Sequence, residues 1–492
     1  MKRLLTSIVI MATTLCPLYT AARNISADEA KGAATVFMNT YGNHSHVEAD
    51  ELVLVHTIDN PDLGVPACYF FNVSDWGWII MTGSSAFNPV VGFSNRCGGL
   101  NPENMSEGMK YYVGEYANMV SAVQNADQEE HFADNDAWVS LWKEEFAPAA
   151  KAGEHYLMDE TWDQGEPDGS IYNSQCPQIN GQYCYVGCVA TALSQIIHYY
   201  KFPVKPFGYH SYSWNNTSLR VNYDELTFDY SLMPNRLTRN SSAAQKAEVA
   251  KLCYAVAVSI DMGFGTSGSG AYSANVPNSM ASYFKYRTCT QISRTEQSND
   301  TAFCNTIRRE LMLNRPVYMS GGSSTNTSGG DAAGHAWVVC GYRDDLHDYY
   351  WFNWGWSGSD DGWLNLVLNT QSAMYLSNSR YSFNLRQSCM VGLIPPSNDS
   401  SAVDFMPHTE GISTVPSAEL MPAYPNPASH SVIIPYRNAM SDEIVVYSVE
   451  GKPILRQRLD EGEGEVRLDL EGMPAGIYIY RIGGASGKFT VQ

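Results

Sequence analysis

The chain has 492 residues, with 51 acidic against 31 basic side chains and a net charge of −20 at neutral pH. So acidic a surface excludes nucleic acid as a partner, because phosphate binding needs a basic face. The length exceeds one compact domain and calls for about three, and 31 tyrosines and 11 tryptophans point to large cores rather than disorder.

The chain opens Met1-Lys2-Arg3, runs through an apolar core from Leu4 to Leu18 and reaches Thr20-Ala21-Ala22. A basic start, a short apolar centre and small residues at the end predict a signal peptide over 1–22. Cys16 raises the question of a lipid anchor, but Leu15 before it is too large for that kind of cleavage. No later stretch has the roughly 18 continuous apolar residues of a spanning helix, so no membrane span is expected.

Residues 23–125 read as a small α+β unit. A helix is predicted over Ala27–Tyr41, strands over Leu52–His56, Ala67–Val73 and Trp76–Met81, and a closing helix over Met109–Val123. Gly83–Ser94 reads as a glycine- and proline-punctuated loop with exposed apolar side chains. Residues 126–160, with Asp127, Glu129, Glu130, Asp134 and Asp136, read as an acidic linker and activation region.

The stretch 161–395 carries the chemistry. Past Gly187, the apolar residues Val189, Ala192, Leu193, Ile196 and Tyr200 fall at helical spacing. Cys188 then sits at a helix N-terminus, where unpaired N–H groups and the macrodipole favour thiolate. A thiolate nucleophile needs a base, and the base needs a third group to orient it. His335 lies in an apolar strand, Gly334–Gly341, entered from the glycine-rich loop Gly321–Gly334, and Asn353 ends the following strand, Tyr349–Asn353. A hairpin folded at residue 344, midway between them, would set Asn353 opposite His335 and fix the ring in one tautomer, with Trp354 covering that bond from water. The amide of Cys188 and the side chain of Gln164, 24 residues upstream, are the candidate oxyanion donors. His198 lies about three turns along the same helix, too far to serve as base, and the remaining histidines read as structural or surface. Cys176, Cys184, Cys188 and His198 lack the spacing of a zinc site. No metal or cofactor is expected. If Cys188 is free, seven other cysteines between 176 and 389 leave at least one further thiol unpaired.

Trp162-x-Gln164, Gly187-Cys188-Val189-Ala190-Thr191-Ala192, Gly334-His335-Ala336 and Asn353-Trp354-Gly355-Trp356-Ser357-Gly358 together resemble the streptopain family of secreted papain-fold cysteine proteases. The resemblance implies an α+β papain-like fold acting on protein substrates. It makes Cys188 the nucleophile, His335 the base and acid, Asn353 the orienter, Trp354 the shield and Gln164 the oxyanion donor. It also makes Ser267, Gly268 and Gly334 candidates for substrate binding. By the same resemblance residues 23–125 are an inhibitory pro-domain, an intramolecular partner, and Phe87–Phe93 is the loop that obstructs the site in the zymogen. A transglutaminase-like acyl transferase or an amidase on the same fold, and a non-catalytic binding protein, remain alternatives here.

Residues 396–420 are a linker by composition. Beyond it, alternating segments over Ser431–Ile434, Ile444–Ser448, Pro453–Leu459, Glu465–Leu470 and Ile477–Ile482 predict an antiparallel β-sandwich over 421–492. Tyr424-Pro425-Asn426-Pro427, Val446-Tyr447-Ser448-Val449-Glu450-Gly451 and Leu470-Glu471-Gly472-Met473-Pro474-Ala475-Gly476 resemble the type IX secretion sorting domain. That implies handling by the type IX machinery and a protein released from, or held on the surface of, a Gram-negative bacterium.

Overall fold

The computed structural model describes residues 22–42, 46–126, 134–143, 153–297, 300–322, 334–367, 387–396, 419–420, 423–439, 443–448, 453–459, 462–482 and 485–492. The expected signal peptide, except Ala22, lies outside them, as do most of the Gly321–Gly334 loop and nearly all of the 396–420 linker. The chain divides into two compact units, 1–405 and 406–492.

The first unit begins with helix α1 (Ala27–Tyr41), started by Ser26, which accepts from the Glu29 amide while Glu29 bonds back in a capping box. Four strands follow: β1 (Leu52–Asp59), β2 (Pro66–Val73), β3 (Gly77–Thr82) and β4 (Val90–Ser94). Next come α2 (Glu107–Ala126), α3 (Asp136–Lys143) and β5 (Glu154–Tyr156). Two hairpins, β6–β7 (Gln178–Ile179, Gln182–Tyr183) and β8–β9 (Tyr209–Trp214, Thr217–Asn222), flank α4 (Cys188–Tyr200). Helices α5 (Ala243–Ser259), α6 (Val276–Phe284) and α7 (Asp300–Met312) alternate with strands β10 (Thr290–Ser293), β11 (Val317–Gly322), β12 (Gly334–Arg343), β13 (Tyr349–Asn353), β14 (Gly362–Asn365) and β15 (Ser388–Val391).

One sheet of 11 strands runs through this unit in the order β1-β2-β3-β4-β14-β13-β12-β11-β15-β10, with β5 paired to the far end of β12. The N-terminal strands are therefore not a separate sheet. β4 joins β14 through Phe93 opposite Trp363 and Gly92 opposite Leu364. A β-carbon on Gly92 would stand 2.5 Å from Leu364 Cδ1 and 2.9 Å from the Trp363 carbonyl oxygen, so glycine lets the two strands close. One apolar cluster takes Phe70, Trp78, Ile80, Met109 and Tyr112 from the N-terminal part and Trp337, Phe352, Trp354 and Leu364 from the rest.

Two expectations are corrected here. The Gly83–Ser94 segment is not an exposed loop: Ala86, Phe87, Val90, Val91 and Phe93 are fully buried, because β4 is an interior strand with partners on both sides. Nor is 126–160 linker throughout. Within it α3 buries Trp138 and Leu141, and Glu154 of β5 accepts from Asn95 Nδ2 at 3.1 Å and from Arg343 Nη1 at 2.5 Å. The other parts of that stretch, 127–133 and 144–152, lie outside the described residues.

Helix α4 runs as its spacing predicts, with Val189, Ala192, Leu193, Ile196 and Tyr200 all buried. The ten cysteines of the described residues are free thiols. No helix among the described residues is long and apolar enough to cross a membrane.

The second unit pairs β16 (Glu419–Leu420), β17 (Ser431–Ala439) and β20 (Gly462–Asp469) in one sheet. β19 (Pro453–Arg458), β18 (Glu443–Tyr447), β21 (Gly476–Ile482) and β22 (Ala485–Val491) form the other. Inward residues of both, Val432, Ile434, Val446, Leu468, Tyr480 and Phe489, make its core. The sequence reading missed β22, whose glycine and lysine mask the alternation. Lys488 lies on that strand beside the buried Phe489.

Candidate active site

Cys188 is the first residue of α4, and Gly187 before it has φ of 92°. That conformation suits glycine, and a β-carbon there would also stand 2.6 Å from Met262 Cε and 3.1 Å from the Ser269 carbonyl oxygen. The turn that presents the thiol is thus packed against the 262–270 segment. Across from it, β12 carries His335, buried and set opposite Gly321 of β11. The thiol and the imidazole are close enough for each to shift the titration of the other.

Burial works against charge on the Cys188 sulfur. The His335 charge and hydrogen bond, with help from the Ala336 and Val189 backbone, outweigh it and hold the thiol below its ordinary value. Burial likewise works against a charged His335, but the Cys188 charge and hydrogen bond, with the Trp354 backbone, leave the imidazole above its ordinary value. Both shifts favour a thiolate–imidazolium pair.

The expected third member does not stand where the hairpin argument put it. Asn353 pairs with Val338, three residues along from His335. β12 continues through Arg343, whose buried guanidinium bonds Glu154 and Asp345. The hairpin consequently turns nearer residue 346, where Tyr342 faces Tyr350, than residue 344. His335 Nε2 instead donates to the Trp354 carbonyl oxygen at 3.2 Å. Asn353 is spent elsewhere: its Nδ2 donates to the Gln195 Oε1 at 3.0 Å and to the Glu160 carbonyl, and its Oδ1 accepts from Gln195 Nε2 and from the Gly355 amide. Gln195 Oε1 also accepts from the Trp162 amide at 3.0 Å. This amide pair ties together the segments that carry Gln164, Cys188 and His335.

Trp354 is fully buried, its indole tilted 47° to the His335 ring at 6.0 Å. Gln164 is buried too. Its carbonyl accepts from the Val186 amide at 2.8 Å, two residues before Cys188, while its side-chain Nε2 has no partner among the described residues. Ser267 and Gly268 are exposed at the tip of the 263–270 turn. Ser269 makes the link to the site, accepting from the Gly265 amide and donating to the Tyr185 carbonyl at 2.7 Å. Gly334 opens β12, exposed, opposite Gly322.

His198 is structural: buried, it bonds Glu160 at 2.7 Å and the Met233 carbonyl at 2.9 Å. His155 pairs with Asp344, and His210 with Asp261 and Tyr283.

Three neighbours of the site escaped the sequence reading. Gln195 had a visible signal, since it is a polar residue two turns beyond Cys188 on an apolar helix. Asp361 is buried, and its Oδ1 accepts from the Trp354 amide at 2.9 Å. Gly108, the second residue of α2, gave no signal. A β-carbon there would stand 2.4 Å from Trp354 Cε3 and 2.5 Å from His335 Cδ2. The N-terminal unit thus rests on the imidazole through the start of α2, while Phe87, Val90, Val91 and Phe93 are buried in the core, the last three of them on β4. Ser106, just before α2, donates its amide to Asp360 at 2.5 Å.

Comparison with known families gives three matches along the chain. Residues 162–364 match the Peptidase C10 family, residues 22–120 match the Spi protease inhibitor, and residues 422–492 match the secretion system C-terminal sorting domain. The chain is 27% identical over 332 residues to the thiol protease/hemagglutinin PrtT of Porphyromonas gingivalis, covering 66% of this chain but only 37% of PrtT. It is 28% identical over 350 residues to streptopain of Streptococcus pyogenes, covering 66% of this chain and 80% of streptopain. A fragment of prointerpain A from Prevotella intermedia shares the fold. It has a TM-score of 0.53 at 21% identity, with 69% of this chain and 98% of that one covered. The sorting domain marks the chain for type IX secretion, to the cell surface or beyond. The lowered Cys188 thiol at the start of α4 and the matched domains lead to the same place: residues 162–364 are a Peptidase C10 domain, that of a cysteine peptidase, and an inhibitor-type domain precedes it in the same chain.

Proposed function

We propose that the protein is the secreted zymogen of a cysteine endopeptidase that cuts protein substrates through a thioester acyl-enzyme. The observation that carries this reading is the Cys188–His335 pair at the start of α4, with the thiol lowered and the imidazole raised. In this reading the Cys188 thiolate attacks the scissile carbonyl. The oxyanion is met by the Cys188 amide, one of the unpaired donors at a helix start, and by the idle Nε2 of Gln164. His335 protonates the leaving amine, the thioester forms, and the neutral imidazole then activates the water that hydrolyses it. Trp354 keeps water from the far side of the ring. Asn353 serves the pair at one remove, through the backbone it holds. Met262–Gly270, including Ser267 and Gly268, and Gly334 line the approach of the substrate chain.

The domain scheme belongs to the same proposal: 1–22 removed on export, 23–125 inhibitory, 126–160 holding the activation cut, 161–395 catalytic, 396–420 a linker and 421–492 for sorting. The contact of Gly108 with His335 and Trp354 supports an inhibitory role for the N-terminal unit.

The test is incubation of residues 24–492 beside Cys188→Ala, followed by mass spectrometry and a casein digest. Wild type is expected to shed its N-terminal unit and degrade casein, and the variant to do neither. Casein left intact beside a labelled amine that becomes attached to it would favour acyl transfer over hydrolysis. If wild type stays as inert as Cys188→Ala even after trypsin removes its N-terminal unit, the reading is wrong.

A further inference from the structure

Trp354 is the hinge of the site, because its carbonyl oxygen is the acceptor that His335 Nε2 meets. A backbone carbonyl orients a ring only as firmly as its own residue is held. Trp354 sits where β13 ends, and Gly355 after it takes φ of 74°, so the chain leaves the sheet at this point. The loop returns seven residues later at Asp361, directly before β14, where Gly362 pairs with Phe352. Asp361 therefore stands across the mouth of the loop from Asn353. From there its buried carboxyl oxygen accepts the Trp354 amide at 2.9 Å. Without that acceptor the Trp354 N–H would be left unpaired away from water, and the residue would be free to rotate toward another partner.

We propose that Asp361 is a positioning residue for His335, holding Trp354 by its amide so that the Trp354 carbonyl aims the imidazole at Cys188. The role rests on the Cys188–His335 reading above. It asks only for an acceptor oxygen at this place, not for a charge. Burial pushes the Asp361 carboxyl up to about 8, against the Trp354 amide, which lowers it, and with the adjacent Asp360 adding to the rise. Near neutral pH it is thus mostly a neutral acid. Other titratable groups around it are Asp360, Cys97 and Cys340, with Arg96, Tyr156, Asp159, Glu160 and Arg236 lining the same cavity, and those around His335 are Cys188 and Glu107 of α2. Asp361 is not among the leading charges that shift His335, and the proposed effect travels by geometry. Asp360 next to it is the residue that holds Ser106 of the N-terminal unit.

The experiment compares full-length protein, allowed to mature, with Asp361→Asn, Asp361→Ala and Asp361→Ser. The readouts are kcat and KM on a fluorogenic peptide amide, the rate of Cys188 alkylation by iodoacetamide across pH, and the melting temperature. Asn keeps an acceptor of the same reach and is expected within about 3-fold of wild type. Ala and Ser are expected to fold but to lose about 10- to 100-fold in kcat with KM nearly unchanged. Their alkylation profiles should lose thiolate–imidazolium character, the alkaline limit moving acidward by about 1 pH unit as the imidazolium loses its acceptor. The proposal is overturned if Ala or Ser keeps the wild-type kcat and profile. It is overturned too if folded Asn is as damaged as Ala, or if both short variants fail to fold, since the residue then serves the fold rather than His335. Cys188→Ala supplies the zero. Wild type as inert as Cys188→Ala towards peptide would sink the protease reading, while the alkylation profiles would still decide the role of Asp361.

Discussion

In the proposed reading, Gln164 separates catalysis from stability at a single side chain. Its backbone is bound to Val186 and Asp163, but its buried Nε2 has no partner among the described residues. A buried donor without a partner costs free energy in the resting protein, and in the proposed reading that donor is used when an oxyanion forms beside it. Gln164→Ala is therefore expected to lower kcat by about 100- to 1,000-fold while leaving KM and the melting temperature nearly unchanged. Steady-state kinetics beside a thermal melt checks both halves, and a large loss of stability with intact kcat would contradict the assignment. At this scale the sequence was most legible where chemistry demands a residue type at a helix start, as at Cys188. It was least legible where a role passes through backbone. Asn353 is the case in point: a side-chain amide next to a histidine strand invited a direct bond, yet the acceptor is the carbonyl of the next residue, which has no letter in the sequence.

At the scale of elements, the start of α2 decides how the site is closed. Gly108 leaves no room for a side chain above His335 and Trp354, while Tyr112, one turn on, donates to the Asn365 carbonyl and packs on Phe352 at 5.6 Å and Trp354 at 6.0 Å. A larger residue at 108 must lift the helix from the imidazole or push the imidazole aside. Gly108→Val is thus expected to weaken latency, so that the N-terminal unit is lost several-fold faster than in wild type. A mass-spectrometric time course at matched concentration reads this directly, and a slower loss would mean that the helix does not restrain the site. The helix itself was visible in its periodicity, as were α1, α4 and ten of the 22 strands, because amphipathic spacing is a local property. What it would touch was not. Likewise β4 read as an exposed loop because its glycine and neighbouring proline look like punctuation, although Gly92 is there to let Leu364 approach. The β12–β13 register slipped for a similar reason: the polar letters Arg343-Asp344-Asp345 look like a turn, but Arg343 is buried in ion pairs that prolong the strand.

Across the whole first unit, the N-terminal part and the catalytic part share one sheet and one apolar cluster, which has consequences for folding. β14 has four residues, with β13 on one side and β4 on the other. Trp363 and Leu364 are fully buried, and Trp78 and Phe93 supply part of that cover, since a β-carbon on Gly362 would stand 2.5 Å from Trp78 Cζ2 and 2.8 Å from the Phe93 carbonyl. When the N-terminal part is gone, β14 becomes an edge with unpaired amides and an uncovered apolar face. Anything that binds only the folded state stabilises it by mass action, and a tethered partner does so at high effective concentration. Cys188→Ala, which cannot process itself, allows the comparison. Left intact it is expected to melt as one transition for this unit. Once a trace of active enzyme has cut it, the catalytic part is expected to melt several degrees lower and to recover as purified N-terminal part is added back. Calorimetry of the two forms checks this, and refolding of 153–396 with and without 22–126 extends it to kinetics. Equal melting temperatures would mean that the shared sheet adds nothing to stability, and the N-terminal unit would then be an inhibitor alone. A lower melt that the added unit restores would make it inhibitor and folding template at once, because the surface that covers His335 is continuous with the surface that completes the core.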